Sequence, residues 1–189
     1  MSTAIDGSEI RIIHGQECKR HINLDGCIGG WVARTAHVAP SAYIGEASMV
    51  LGYAWVAETA RILDKAKIVS NARVTGNARI FGNARVLGDA WVTAYAWVGG
   101  NAWIVEHARI GGNAQVDGNA WVTGHARVDG GAYVGGNCWI DGDAVIDGFA
   151  LLTGHVKVDG SAQVGGLAQI GGESWIGDTR MVTHGRIRD

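Results

Sequence analysis

NARVTGNARIFGNARVLGDAWVTA, residues 71–94, is a six-residue unit written four times. Its aliphatic members are Val74, Ile80, Val86 and Val92, its small members Ala72, Ala78, Ala84 and Ala90, and its first three units close on Gly76, Gly82 and Gly88. Carried outward in the same phase, every sixth residue from Val32 to Val182 is Val or Ile except Leu152, over 26 positions without an insertion. Two residues before each aliphatic, the 24 positions from Ala36 to Ser174 are Ala except at Ser48, Cys138, Val156 and Ser174. Two residues after it, Gly occurs 16 times. A repeat this regular decides the architecture before any single residue is weighed.

In a strand, residues two apart share a face, so the Ala and the Val or Ile of each unit point inward and the residue between them points out. Gly followed by Asn, Asp or His supplies a corner, because these residues tolerate the positive φ that a sharp turn needs. Three sides of six residues close a triangle of 18, and successive coils pair as parallel strands at about 4.8 Å. The expectation is an all-β parallel β-helix of about eight to nine coils, roughly 40 Å tall, over residues 30–184. Antiparallel hairpins do not hold a strict period of six, and a pentapeptide solenoid has the wrong period. The period leaves the hand of the coil open.

The flanks depart from the register. In residues 1–29, Ile10 and Ile12, then Ile22 and Leu24, alternate with polar residues and predict two short strands, a hairpin or flap over the first coil. A cap is expected there because an open solenoid end exposes unpaired strand edges. Arg180 falls on an inward small-residue position, so the helix is expected to stop near it, with 185–189 as a tail. The 30 glycines and single proline go with 47% hydrophobic residues, enough to fold. No window approaches a membrane span or a signal-peptide core, and a cytoplasmic protein is expected. Three cysteines argue against a disulfide framework, with Cys138 on an interior position; whether Cys18 and Cys27 pair stays open.

The pattern aliphatic-x-x-x-small-x covers about four-fifths of the chain and resembles the hexapeptide-repeat left-handed β-helix superfamily. More narrowly, Gly29-Gly30-Trp31-Val32, Gly52-Tyr53-Ala54-Trp55-Val56 and the Asn-Ala-Arg-Val runs resemble its YdcK-like branch, common in phage and prophage genomes. The resemblance implies left-handed coiling and a homotrimer. It also implies, for an enzyme of that superfamily, an acyltransferase that holds coenzyme A between subunits and uses a histidine as general base.

Residues 18 apart stack, so the outward positions form columns. One runs Lys67, Arg85, Trp103, Trp121, Trp139, Lys157, Trp175. Its consecutive tryptophans Trp103, Trp121 and Trp139 read either as a stacking ladder with cationic neighbours or as an exposed apolar stripe buried in a subunit interface or under a partner. The other columns are mixed: Trp55, Arg73, Trp91, Arg109, Arg127 and Arg61, Arg79, Trp97, Gln115, Tyr133. Arg73, Arg79 and Arg85 lie on three sides of one coil, a belt with no basic groove, which argues against nucleic acid. Charge is polarised along the axis: residues 61–109 hold seven Lys/Arg and three acids, residues 110–178 two and eight. That asymmetry is compatible with an anionic ligand toward the first half or with end-to-end association, and requires neither.

His107 and His125 are 18 apart with Asp89 one coil before and Asp143 one coil after, an arrangement close enough for proton transfer. The same corner position elsewhere carries Asn83, Asn101, Asn119 and Asn137, then His155, so the histidines also read as polar stacking residues. No metal site is expected. No Walker loop, nucleophile elbow or metalloprotease motif occurs, and the corner glycines lack the strand-to-helix context of a phosphate loop. The unbroken register leaves no inserted catalytic loop. The expectation is therefore a non-enzymatic rigid scaffold or binding protein, without cofactor, that presents Trp103, Trp121, Trp139, Arg73, Arg79 and Arg85 to a host protein or a small anionic partner. The alternative is a coenzyme A-dependent acyltransferase with His107 or His125 as base.

Overall fold

The computed structural model describes residues 9–188. Three antiparallel strands open the described residues: β1 (Ile10–Ile13), β2 (Gln16–Ile22) and β3 (Ile28–Ala33). Twenty-five short rungs, β4–β28, follow from His37–Val38 to Met181–Val182, each two residues long apart from Gln169–Gly171, and β29 (Arg186–Arg188) is the last strand of the described residues. The rungs form three parallel sheets of a triangular β-solenoid of about nine turns. The first sheet holds eleven strands because the cap joins it; the second and third hold nine each.

Every third rung pairs with the next of its own sheet, so Trp103 lies beside Trp121 and Ile104 beside Val122. The bonds run from each coil to the following one: the Trp103 N–H donates to the Ala120 carbonyl at 2.9 Å and the Val105 N–H to the Val122 carbonyl at 2.9 Å. Inside, the Ala and aliphatic columns are buried without a break from Ala42 to Ala168. Each buried Val or Ile contributes on the order of 1.5–3 kcal/mol of burial. The alternation of Ala with a branched residue fills a core too narrow for a ligand. The corner two residues past each aliphatic has positive φ at every hexad from Gly52 to Asp178, including the non-glycine Glu58, Asp64, Ser70, Ala94, Glu106 and Asp178.

The cap is an antiparallel extension of the first sheet. β1 pairs with β2, β2 with β3, and β3 runs parallel to the Met49–Val50 rung. Cys18, Trp31, Ala33 and Leu51 form a separate small core on its outer side. The Trp31 ring has the guanidinium carbons of Arg20 at 4.4 Å and Arg11 at 4.8 Å from its centroid. Asn23 is buried and ties the cap to the third sheet: its side-chain oxygen accepts from the Ile44 N–H at 2.8 Å and its amide donates to the Ile44 carbonyl at 3.1 Å.

The far end differs from the expected tail. Arg180 is exposed, as a guanidinium at a small inward position must be, yet the coil continues past it. β29 pairs in parallel with Gln169–Gly171, setting Ile187 opposite Ile170. The inward aliphatic thus returns 17 residues after its predecessor and one short of the period, which the positive φ of Gly185 allows. All three cysteines are free thiols; Cys18 and Cys138 are buried and Cys27 is exposed. Burial pushes the Cys138 thiol up to about 11.

Candidate functional site

The tryptophan column of the first sheet is stacked on itself. Trp103 and Trp121 have centroids 5.3 Å apart at 45°, Trp121 and Trp139 5.5 Å apart at 19°, within the range of favourable aromatic pairs. Arg85 closes the upper face of Trp103 at 4.6 Å. At the lower end Lys157 is bound to Asp159 at 2.8 Å, and the indole N–H of Trp175 donates to the same carboxylate at 2.9 Å. These bonds hold the Asp159 carboxyl below its usual value. What the ladder turns outward is therefore ring edges, an apolar rim in which Trp121 and Trp139 remain 40% and 46% exposed.

Arg73, Arg79 and Arg85 stand on the second, third and first sheets respectively, so the belt read from the sequence is the arrangement found. Five arginines of the first half place their guanidinium carbon over a neighbouring ring of their own column: Arg61 over Tyr43, Arg73 and Arg109 on the two sides of Trp91, Arg79 over Trp97 and Arg85 over Trp103, at 4.6 to 5.7 Å. Among the described residues none of the five has a carboxylate within 4.0 Å. The second half is the reverse, with Arg127 bound to Asp129 and Lys157 to Asp159. A guanidinium stacked on a ring keeps its in-plane N–H groups free, the geometry that takes an oxyanion on two donors.

The histidine pair sits at a corner of the second sheet. His107 and His125 stack with centroids 4.8 Å apart and planes 5° from parallel. The Nδ1 of His107 is 3.7 Å from an Asp89 oxygen, whose other oxygen accepts from the Asn71 amide at 3.0 Å. His125 and Asp143 line a neighbouring cleft of about 410 Å³ with Arg109 and Arg127. The Asn column forms the amide ladder expected of it, each side-chain N–H donating to the next oxygen at 2.9 to 3.0 Å from Asn83 to Asn137, with His155 closing it at 3.1 Å. No group of His, Cys, Asp and Glu among the described residues is arranged to hold a metal ion.

One feature of the second sheet is invisible in the columns taken singly. Trp55, Arg73, Thr75, Trp91 and Thr93 line a cleft of about 490 Å³. Trp55 and Trp91 are the rungs on either side of Arg73, and Thr75 and Thr93 stand two residues along from Arg73 and Trp91. The Thr75 hydroxyl bonds that of Thr93 at 3.2 Å. The signal available in the sequence was the coincidence of a Trp-Arg-Trp column with two hydroxyl residues in the column beside it. Neither a protein-family model nor a curated protein matches the chain.

Proposed function

We propose that this protein is a non-enzymatic binding scaffold, a rigid β-solenoid that presents arginine and aromatic ladders to an anionic partner. The observation that carries the reading is the group of five guanidiniums set over rings, none with a carboxylate within 4.0 Å among the described residues, all in the half of the prism that is net positive. Contact with a ring restricts each arginine, so less side-chain entropy is lost when an anion arrives. The test is a thermal-shift titration with inorganic phosphate, pyrophosphate and tripolyphosphate at low salt. Melting should rise with phosphate number, and the rise should vanish in Arg73→Glu/Arg79→Glu/Arg85→Glu. A shift that survives the triple variant refutes the reading.

The unbroken hexad also supports membership of the hexapeptide-repeat left-handed β-helix superfamily and, with it, assembly as a homotrimer, while Gly29-Gly30-Trp31-Val32, Gly52-Tyr53-Ala54-Trp55-Val56 and the Asn-Ala-Arg-Val runs support its YdcK-like branch, common in phage and prophage genomes. The flat apolar rim of Trp121 and Trp139 is the surface we assign to that contact. A second reading rests on the Asp89–His107–His125 corner, where the Asp89 carboxylate stands 3.7 Å from Nδ1 of His107, within ion-pair range, and His107 stacks on His125. It makes the protein a coenzyme A-dependent acyltransferase. A coenzyme A titration that produces no thermal shift removes it; a shift abolished by His107→Ala and His125→Ala favours it over the scaffold.

A further inference from the structure

We propose that the cleft between Trp55 and Trp91 is a discrete site for a planar aromatic ligand that carries an oxyanion, the chemistry shared by nucleoside monophosphates and aromatic carboxylates. The inference deepens the anion-binding reading and rests on it, naming one place and one ligand class.

The columns differ in which ring faces remain open. On the first sheet Trp121 is covered on both sides by tryptophan, and Trp103 by Trp121 and Arg85. On the third, Trp97 meets the edge of Phe81 at 6.3 Å and carries Arg79 at 5.1 Å. On the second, Trp91 is closed from both sides by Arg73 at 5.4 Å and Arg109 at 5.7 Å. Trp55 is different. His37, one coil earlier, stacks on one of its faces at 3.9 Å and 24°, which fixes the indole. Its other face looks along the column toward Arg73, across the cleft.

Spacing then sets the ligand. Trp55 and Trp91 are two rungs apart, roughly 10 Å at about 4.8 Å per coil. Stacked aromatic rings take centroid separations of about 4.5–7 Å, so one flat ring laid on Trp55 fills the space up to the Arg73 guanidinium, which meets it at its edge, and a second layer has no room. The far wall is Arg73, drawn toward Trp91 and free of any carboxylate among the described residues. Its N–H groups and the Thr93 hydroxyl, which accepts from Thr75 and keeps its own proton to donate, are the donors for an oxyanion attached to that ring. No acid lines the cleft. A nucleic-acid strand needs successive open ring faces. Within this cleft the guanidiniums closing Trp91 leave Trp55 as the stacking platform, which favours one flat ring system over a strand.

The intact protein is titrated by calorimetry and tryptophan fluorescence with guanosine monophosphate, 2-naphthoate, guanosine, inorganic phosphate and a ten-residue thymidine oligonucleotide. Guanosine monophosphate and naphthoate should bind one per chain, at least tenfold tighter than guanosine or phosphate. Trp55→Leu should weaken both at least tenfold while leaving phosphate binding unchanged, Trp55→Phe should restore them, and Arg73→Gln should weaken both. Trp175→Leu should change nothing, and circular dichroism checks that each variant keeps the fold. If phosphate binds as tightly as guanosine monophosphate and Trp55→Leu is silent, the cleft is overturned and the anion reading stands. If the oligonucleotide binds tenfold tighter than the mononucleotide, the single-ring site is overturned in favour of a strand track. If no anion binds, both readings fall.

Discussion

The corner two residues past each aliphatic offers a test in which two substitutions at equivalent positions carry opposite signs. Gly118 has φ of +69°, and a Cβ placed there meets the Gly136 carbonyl oxygen at 2.7 Å and its nitrogen at 2.8 Å. Ala94 occupies the same corner at φ +59° with a Cβ already in place. The left-handed conformation costs a non-glycine residue about 1–2 kcal/mol. Replacing Gly by Ala returns about 0.4–1 kcal/mol through the unfolded chain. Gly118→Ala adds a contact with backbone atoms that cannot rotate away, so a net loss of about 1–3 kcal/mol is expected. Ala94→Gly relieves the conformational cost and gives up the entropic gain, for a net stabilisation of up to about 1.5 kcal/mol. For a chain of this size each kcal/mol moves the melting temperature by roughly 2–4 °C. Far-ultraviolet circular dichroism on thermal unfolding reads both. Ala→Gly ordinarily destabilises a strand, so a fall in melting temperature for Ala94→Gly equal to that of Gly118→Ala would refute the account of the corner.

Three further outcomes are expected. His21 is partly buried with its Nε2 unbonded, and burial holds its pKa below the ordinary 6.5, against a bond to the Ala42 backbone that raises it. The folded state thus resists protonation that the unfolded state accepts, so stability is unaffected above pH 6.5 and falls as pH drops below it toward the folded value; melting temperatures between pH 8 and 5 should lose part of this slope in His21→Leu, and an unchanged slope refutes it. Trp121→Glu places a charge on the apolar rim, and sedimentation velocity should show the assembled mass falling to that of one chain; an unchanged mass removes this surface as the contact between copies. A thiol reagent should titrate Cys27 rapidly in the native protein, with Cys18 and Cys138 reacting only on unfolding, whereas three fast thiols would contradict their burial.

The inside of this molecule was legible because burial constrains it. Val, Ile and Ala recur where a narrow triangular core admits nothing larger, and the phase of the hexad alone assigns each residue to the inside, the outside or a corner. It also placed the Asn ladder, the histidine stack and the tryptophan column, since residues 18 apart have no alternative neighbour. The last coil was missed because Ile187 returns one residue early, and a strict period cannot count a coil of 17 that pairing with Ile170 nevertheless closes. The cap was read as a hairpin; its third strand is the first strand of the solenoid itself.

By itself, the sequence determined the repeat, the three-sided core and the vertical columns, because each follows from a period and from what can be buried. The tertiary structure decided what those columns offer to a partner. An outward side chain has no burial constraint, so its partner is settled only by which neighbour it leans on in space: tryptophan against tryptophan on the first sheet, guanidinium against indole on the second, and His37 against one face of Trp55 at the mouth of a cleft.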